Sequence, residues 1–368
     1  MTTTGSTASA APDTGVHLDD VTATAPPPGP RLPRIVQTLL YGSYREHWMP
    51  RLRRRHGDVF RLRVFPDGDV VQLANVEHIR AVFGGPADVF HAGEGNVILK
   101  PAMGRHSVLL TDEDVHLRAR KLLMPAFNGA ALRGYRDLIT ELAGAEVDGW
   151  RPGPVRSHER MQAVTLESIL RVVFGVAEGP RLDRLRELLR RIVDIGPVDL
   201  LGWHQPKLQR FGVWKRDAEV RAAADDHDEK HLEAVVKEAM RLHPVISEVA
   251  RVVTRDVEIG GHRIPAGHGV MPSITMVQHD PAHHDDPHAF RPERFTGSGP
   301  ATGTWFPFGG GVRRCLGAGF SLLESAVVLG EVLRRFRITP DRTRPERAKA
   351  RNITMVPARG ARLVITPR

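Results

Sequence analysis

One cysteine occurs among the 368 residues, and its surroundings are the most chemically suggestive in the chain. Cys315 lies in Phe308-Gly309-Gly310-Gly311-Val312-Arg313-Arg314-Cys315-Leu316-Gly317-Ala318-Gly319. The glycines after Phe308 let the backbone lie close to a flat ligand and take positive φ without penalty. Beyond the loop, Leu322, Leu323, Ala326, Val327, Leu329, Gly330, Val332 and Leu333 have the spacing of a buried helix. That spacing predicts Cys315 at a helix start, where free N–H groups, the macrodipole and Arg313/Arg314 favour a thiolate. A soft anionic sulfur beside an open backbone suits axial ligation of haem iron. The bland alternative is a structural free cysteine under a glycine-rich turn.

Three further groups carry candidate chemistry. His116 and Arg120 are four apart on a predicted helix and can reach one anionic group, although a solvated basic face explains the spacing more simply. Glu238 and Arg241 are adjacent on one helix face amid apolar residues, so a partly buried ion pair is expected. A solvated pair is the default for a lone Glu-x-x-Arg. The pairs His279/His283 and His284/His288 have a spacing that binds zinc on a helix. Pro281 and Pro287 argue against a continuous helix there, and a solvated loop is the expected reading.

The elements that must position these groups are mostly helices. Helical stretches are predicted over 46–55, Val76 to Phe83, Leu132 to Trp150, Met161 to Phe174 and Leu182 to Val193. Val59 to Val64 alternates like a strand and pairs with Val70 to Leu73 across Asp67-Gly68. Residues 91–105 lack periodicity. Arg251 to Gly261 reads as a strand entering a turn with Ile264 to Gly267 returning, and Asn352 to Val356 and Ala361 to Thr366 as closing strands. The fold class is therefore mainly α with small β-sheets (α+β). Residues 1–30 are rich in Thr, Ala, Ser and Pro and read as a disordered tail, with a single domain over 31–368 that begins near Leu32.

The chain is long enough for a large core. One cysteine excludes an intrachain disulfide and fits a reducing compartment. No apolar run approaches the roughly 20 residues that span a bilayer, and the tail has no hydrophobic segment of the signal-peptide kind. These features read as a soluble, cytoplasmic protein without a membrane partner. A net charge of +9 invites nucleic acid, but the basic residues are spread among acidic neighbours without interleaved aromatics. A basic surface equally suits an acidic electron-transfer protein.

Phe, spaced glycines, Arg, Cys and Gly at these offsets resemble the haem-binding loop of the cytochromes P450. The resemblance extends over nearly the whole chain from Leu32. It implies haem b as cofactor, with Cys315 as axial iron ligand and Phe308, Gly309 and Gly317 in the cradle. By the same resemblance His116, Arg120, Arg251 and Arg313 hold the haem propionates; two buried carboxylates need such cations. Arg294, in Pro292-Glu293-Arg294-Phe295, joins Glu238 and Arg241 in a triad that buttresses the loop. Residues 91–105 lie over the haem, Val245 to Val249 line the substrate pocket, and the family's equivalent of the His-rich stretch holds no metal. The implied activity is monooxygenation of a small apolar organic substrate, with electrons from an acidic ferredoxin-type donor and its reductase.

The chain departs from the family in one place. A long central helix normally crosses the distal face of the haem with an Ala/Gly-Gly-x-Asp/Glu-Thr signature. Here Glu238 follows Asp217 by 21 positions. A bridge of about 10 residues spans at most about 15 Å as helix. The reading is an internal deletion near 217–230, with no acid–alcohol pair and hence no assignable catalytic residue. Three alternatives follow: a monooxygenase by descent, a haem binder that is impaired, auxiliary or peroxide-driven, and a deleted relative that folds poorly.

Overall fold

Alternating side chains in a hairpin set the first layer. The computed structural model describes residues 15–19, 21–65, 68–174, 229–297, 299–342, 346, 348–351 and 354–368. Strand β1 (Val16–His17) precedes helix α1 (Arg34–His56), which breaks its regular path at Tyr44 (φ −130°). Strands β2 (Val59–Val64) and β3 (Gly68–Leu73) then pair antiparallel, Val59 opposite Leu73. Phe60, Leu62 and Val64 alternate onto one face and pack with Met49 and Leu52 of α1. Val59, Val71 and Leu73 take the other face, against Val76, Ile79 and Val82 of helix α2 (Val76–Gly84). Asn75 starts α2 by accepting from the amides of Glu77 and His78.

Strand β4 (Phe90–His91) leads into helix α3 (Ala92–Gly95), a 3₁₀ turn at Val97–Leu99 and helix α4 (Lys100–Met103). The aperiodic 91–105 stretch is thus a run of short helical turns. Helix α5 (Glu113–Leu123) carries His116 and Arg120; helix α6 (Gly129–Asp148), strand β5 (Gly153–Arg156) and helix α7 (Ser157–Phe174) follow. The predicted helix at Leu182 to Val193 and nearly all of the proposed deletion point near 217–230 lie outside the described residues.

Helix α8 (Glu229–Leu242) bears the Glu-x-x-Arg pair. Short strands β6 (Arg251–Val253), β7 (Val257–Ile259), β8 (His262–Ile264) and β9 (Gly269–Pro272) lead to helix α9 (Ile274–Gln278). The cysteine loop precedes helix α10 (Ala318–Arg335), and strands β10 (Phe336–Pro340), β11 (Ala348–Arg351), β12 (Thr354–Pro357) and β13 (Arg362–Pro367) close the chain. The main sheet has the order β2-β3-β9-β6-β4, so Arg251 sits on a strand between two others. A second core joins α6, α7 and α10 through Ile139, Ala143, Val164, Phe320 and Val328. The α+β class stands: helices predominate, and the strands form four small sheets among the described residues.

The N-terminal boundary moves. The tail was expected to reach residue 30, but Val16 pairs with Ile259 in β7, and the amides of Thr22 and Ala23 donate to Glu258 at 3.0 and 2.8 Å. Edge strand β7 supplies unpaired backbone groups, so an extended polar segment docks there despite its composition. The described residues begin at Gly15.

Candidate haem site

Cys315 stands three residues ahead of α10 rather than at its first turn. Its amide donates to Phe308 O at 2.9 Å and Gly309 N to Phe306 O at 2.9 Å, which folds the loop back on itself and leaves Cys315 exposed. Gly309 and Gly311 take φ of +67° and +60°. A Cβ at Gly311 would stand 1.7 Å from Phe83 O, so part of the glycine requirement comes from α2 pressing on the loop. At Gly309 and Gly317 the same atom would meet nothing within 4 Å. Room for a flat ligand therefore remains on both sides of the sulfur in sequence.

The cations converge. Arg313 Nη1 donates to Val108 O at 3.3 Å, and its Nη2 reaches Thr111 O and the Asp112 carboxylate, which tie the cysteine loop to the start of α5. Arg120, one turn beyond His116, donates to Arg314 O at 2.8 Å. Arg251 is buried, bonds the Ala250 carbonyl and lies 5.8 Å from the Phe83 ring centroid. Burial, then the nearby Arg313 charge, pulls the Arg251 guanidinium down to about 10. Burial, then Arg313 and Arg120, pushes the His116 imidazole down to about 4. Asp112 is the one carboxylate acting on this group among the described residues. Three guanidinium cations and a neutral imidazole against one carboxylate are chemically incomplete, and a dianionic ligand completes them.

Behind the loop lies the triad. Glu238 and Arg241 are wholly buried and pair at 2.7 Å. Every Arg241 donor is used: two on Glu238, the rest on the carbonyls of Gln278, Pro287 and Ala289 at 2.7–3.1 Å. Glu238 also accepts from Arg291 N at 2.8 Å and Arg294 Nε at 3.4 Å. The pair was expected to be partly buried; its burial is complete because the backbone supplies the remaining partners. Gln278, which carried no sequence signal, links triad to loop by accepting from Phe306 N and donating to Met240 O and Arg241 O. Asp112 was also missed, although an acidic residue before a helix is a start signal.

The His-rich stretch gathers no metal-binding group among the described residues. His279 and His284 instead bond the carbonyls of Leu242 and Thr304, at 3.1 and 3.2 Å.

Helices and small sheets around a glycine-walled cysteine and a buried cation cluster define a haem-thiolate class of protein. The family described as Cytochrome P450 matches over residues 26–211 and 216–364. Putative cytochrome P450 135A1 of Mycobacterium tuberculosis is 40% identical over 427 residues, covering 93% of this chain and 95% of the relative. Putative cytochrome P450 135B1 of Mycobacterium bovis is 32% identical over 427 residues, covering 92% and 90%. Among solved structures, retinoic acid-bound cyanobacterial CYP120A1 superposes with a TM-score of 0.76 at 18% identity, over 94% of this chain and 100% of that one. CYP175A1 from Thermus thermophilus gives 0.65 at 24% identity, over 86% and 93%. The chain belongs to the cytochrome P450 family, and its cofactor is haem b. No helix among the described residues is long and apolar enough to cross a membrane.

Proposed function

We propose that this chain is a haem-thiolate monooxygenase by lineage whose oxygen-activating half is depleted. The observation that carries the haem site is the buried cation cluster with its single carboxylate. Cys315 Sγ would hold the haem iron, with Phe308, Gly309 and Gly317 shaping the space beside it. His116, Arg120, Arg251 and Arg313 take the two propionates. Glu238, Arg241 and Arg294 hold the loop through Gln278. When bound, haem b supplies dioxygen activation and insertion of one oxygen atom into an apolar C–H or C=C bond.

The chain's residues bind and orient on the proximal side. The substrate side is read from residues 91–105 and Val245 to Val249, where Val97 and Val245 are exposed apolar side chains. A small apolar organic substrate fits this character, and the basic balance of +9 fits an acidic ferredoxin-type donor with its reductase. Moving protons to oxygen is the task for which the sequence offers no acid–alcohol pair. The alignment with the Mycobacterium tuberculosis relative runs over 427 residues, against 368 in this chain, while most of both is covered. That excess supports an internal deletion, and it favours a second reading: a haem binder with impaired turnover, acting as an auxiliary partner or driven by peroxide.

Turnover separates the two. Purified holoprotein is supplied with ferredoxin, reductase and NAD(P)H, or with hydrogen peroxide, and a panel of apolar substrates is analysed for hydroxylation. The impaired-turnover reading expects product with peroxide at most and little coupled NAD(P)H consumption. Tightly coupled hydroxylation with the reductase system would overturn it.

A further inference from the structure

Asp112 is the carboxylate on which three parts of the molecule meet. Its Oδ1 accepts from Gly93 N at 2.8 Å and from Arg313, and its Oδ2 accepts from Glu94 N at 3.1 Å. A Cβ at Gly93 would stand 2.5 Å from Asp112 Oδ2, so the α3 turn is fitted closely to this side chain. Asp112 and Arg313 keep only 13% and 12% of their side-chain surface. His91 lies on the outer side. Its Nδ1 is 2.8 Å from Glu94 Oε1 and 4.0 Å from Asp112 Oδ2, and its Nε2 is 2.8 Å from Glu113 Oε1. Glu113 begins α5 at φ +47°, a conformation that costs energy for a residue with a side chain. The His91 contact reaches Glu113 from the end of β4.

We propose that Asp112 is a positioning residue that sets the Arg313 guanidinium before the dianionic ligand arrives, and that His91 makes this arrangement sensitive to pH. The inference rests on the propionate role proposed for Arg313. The charges around the chain of contacts are Glu94, Asp112 and Glu113 facing His91, with Arg313, Arg251 and His116 on the far side of Asp112. Burial works against a charged His91, but Glu94, Asp112 and Glu113 outweigh it and raise its pKa above 6.5. A raised value means that the protonated clamp is whole below 6.5 and is lost as pH climbs through the folded-state value. Above it, Glu94, Asp112 and Glu113 lose the His91 cation they share, Asp112 keeping only Arg313, and the α3 turn and the start of α5 lose their common tie.

The test uses the full chain with haem, following haem transfer to excess apomyoglobin between pH 5.5 and 8.5. Asp112→Asn keeps the shape and removes the charge. Release about tenfold faster is expected, the loss of one charge-assisted contact. Wild-type release should quicken as pH rises past 6.5, and His91→Gln should flatten that profile. If Asp112 merely dilutes the positive cluster, Asp112→Asn will hold haem more tightly, which overturns the proposal. A second measurement needs no haem: carbon-13 NMR titration of His91 in the chain alone. Its pKa should fall in Asp112→Asn and in Glu113→Gln; an unmoved value removes the pH link. A wild-type chain lacking a thiolate haem spectrum would instead defeat the haem reading, leaving the NMR result to decide the His91–Asp112 coupling.

Discussion

Arg251 concentrates the electrostatic argument in one side chain. Among the described residues Arg251 donates to the neutral carbonyl of Ala250, and a buried guanidinium so placed is stabilised when an anion comes to it. Arg251→Ala should therefore release haem about tenfold to a hundredfold faster, the equivalent of about 1.5–3 kcal/mol for charged hydrogen bonds. Retention within twofold of the parent would remove Arg251 from the ligand set. His116 gives a companion prediction with a definite sign. Its imidazole is held down to about 4, so it is neutral at pH 7 before the ligand binds. Two arriving carboxylates favour the imidazolium, so haem binding should take up protons between about pH 4 and 6.5. Calorimetry in buffers of different ionisation enthalpy reads that uptake; a buffer-independent heat would count against it.

At the scale of elements, the cysteine loop is built by what presses on it from either side. Helix α2 approaches so closely through Phe83 that Gly311 admits no side chain. Gly311→Ala would need both a left-handed alanine, costing about 1–2 kcal/mol, and a shift of the α2 backbone. We expect lower haem incorporation with unchanged far-ultraviolet dichroism, and normal incorporation would contradict the contact. From behind, Gln278 carries the order of the buried Glu238–Arg241 pair into Phe306 and so to Gly309. Gln278→Leu leaves buried backbone groups without partners and should destabilise the chain by about 1–3 kcal/mol in urea, followed by tryptophan fluorescence. These links explain what sequence could and could not supply. The glycine-rich turn before Cys315 and the Glu238/Arg241 ion pair were legible because each needs particular residue types at fixed offsets. Gln278, Phe83 and Asp112 act through tertiary neighbours far along the chain, where no local period marks them. The helix start expected at Cys315 comes three residues later for a related reason: the return bond from Cys315 N to Phe308 O depends on loop closure, which periodicity does not encode.

For the molecule as a whole, β6 of the five-stranded sheet carries Arg251, and α10 of the helical core follows the cysteine loop. The α+β class followed from alternating and helical periods that the structure reproduces in β2, β3, α2, α6 and α8. The extent of order at the N-terminus did not, because the docking of Val16 on β7 rests on a distant edge strand rather than on local composition. Removing residues 1–24 should accordingly lower the thermal midpoint while leaving the haem spectrum in place; an unchanged midpoint would show that the docked segment adds nothing. The central claim concerns the thiolate. The reduced carbon monoxide difference spectrum of the full chain, expressed with haem supply, tests it most directly. The account predicts the red-shifted Soret band of a thiolate-ligated haem in the parent chain and its loss in Cys315→Ala. A band at the neutral-ligand position in the parent, or the same spectrum in both proteins, would contradict it.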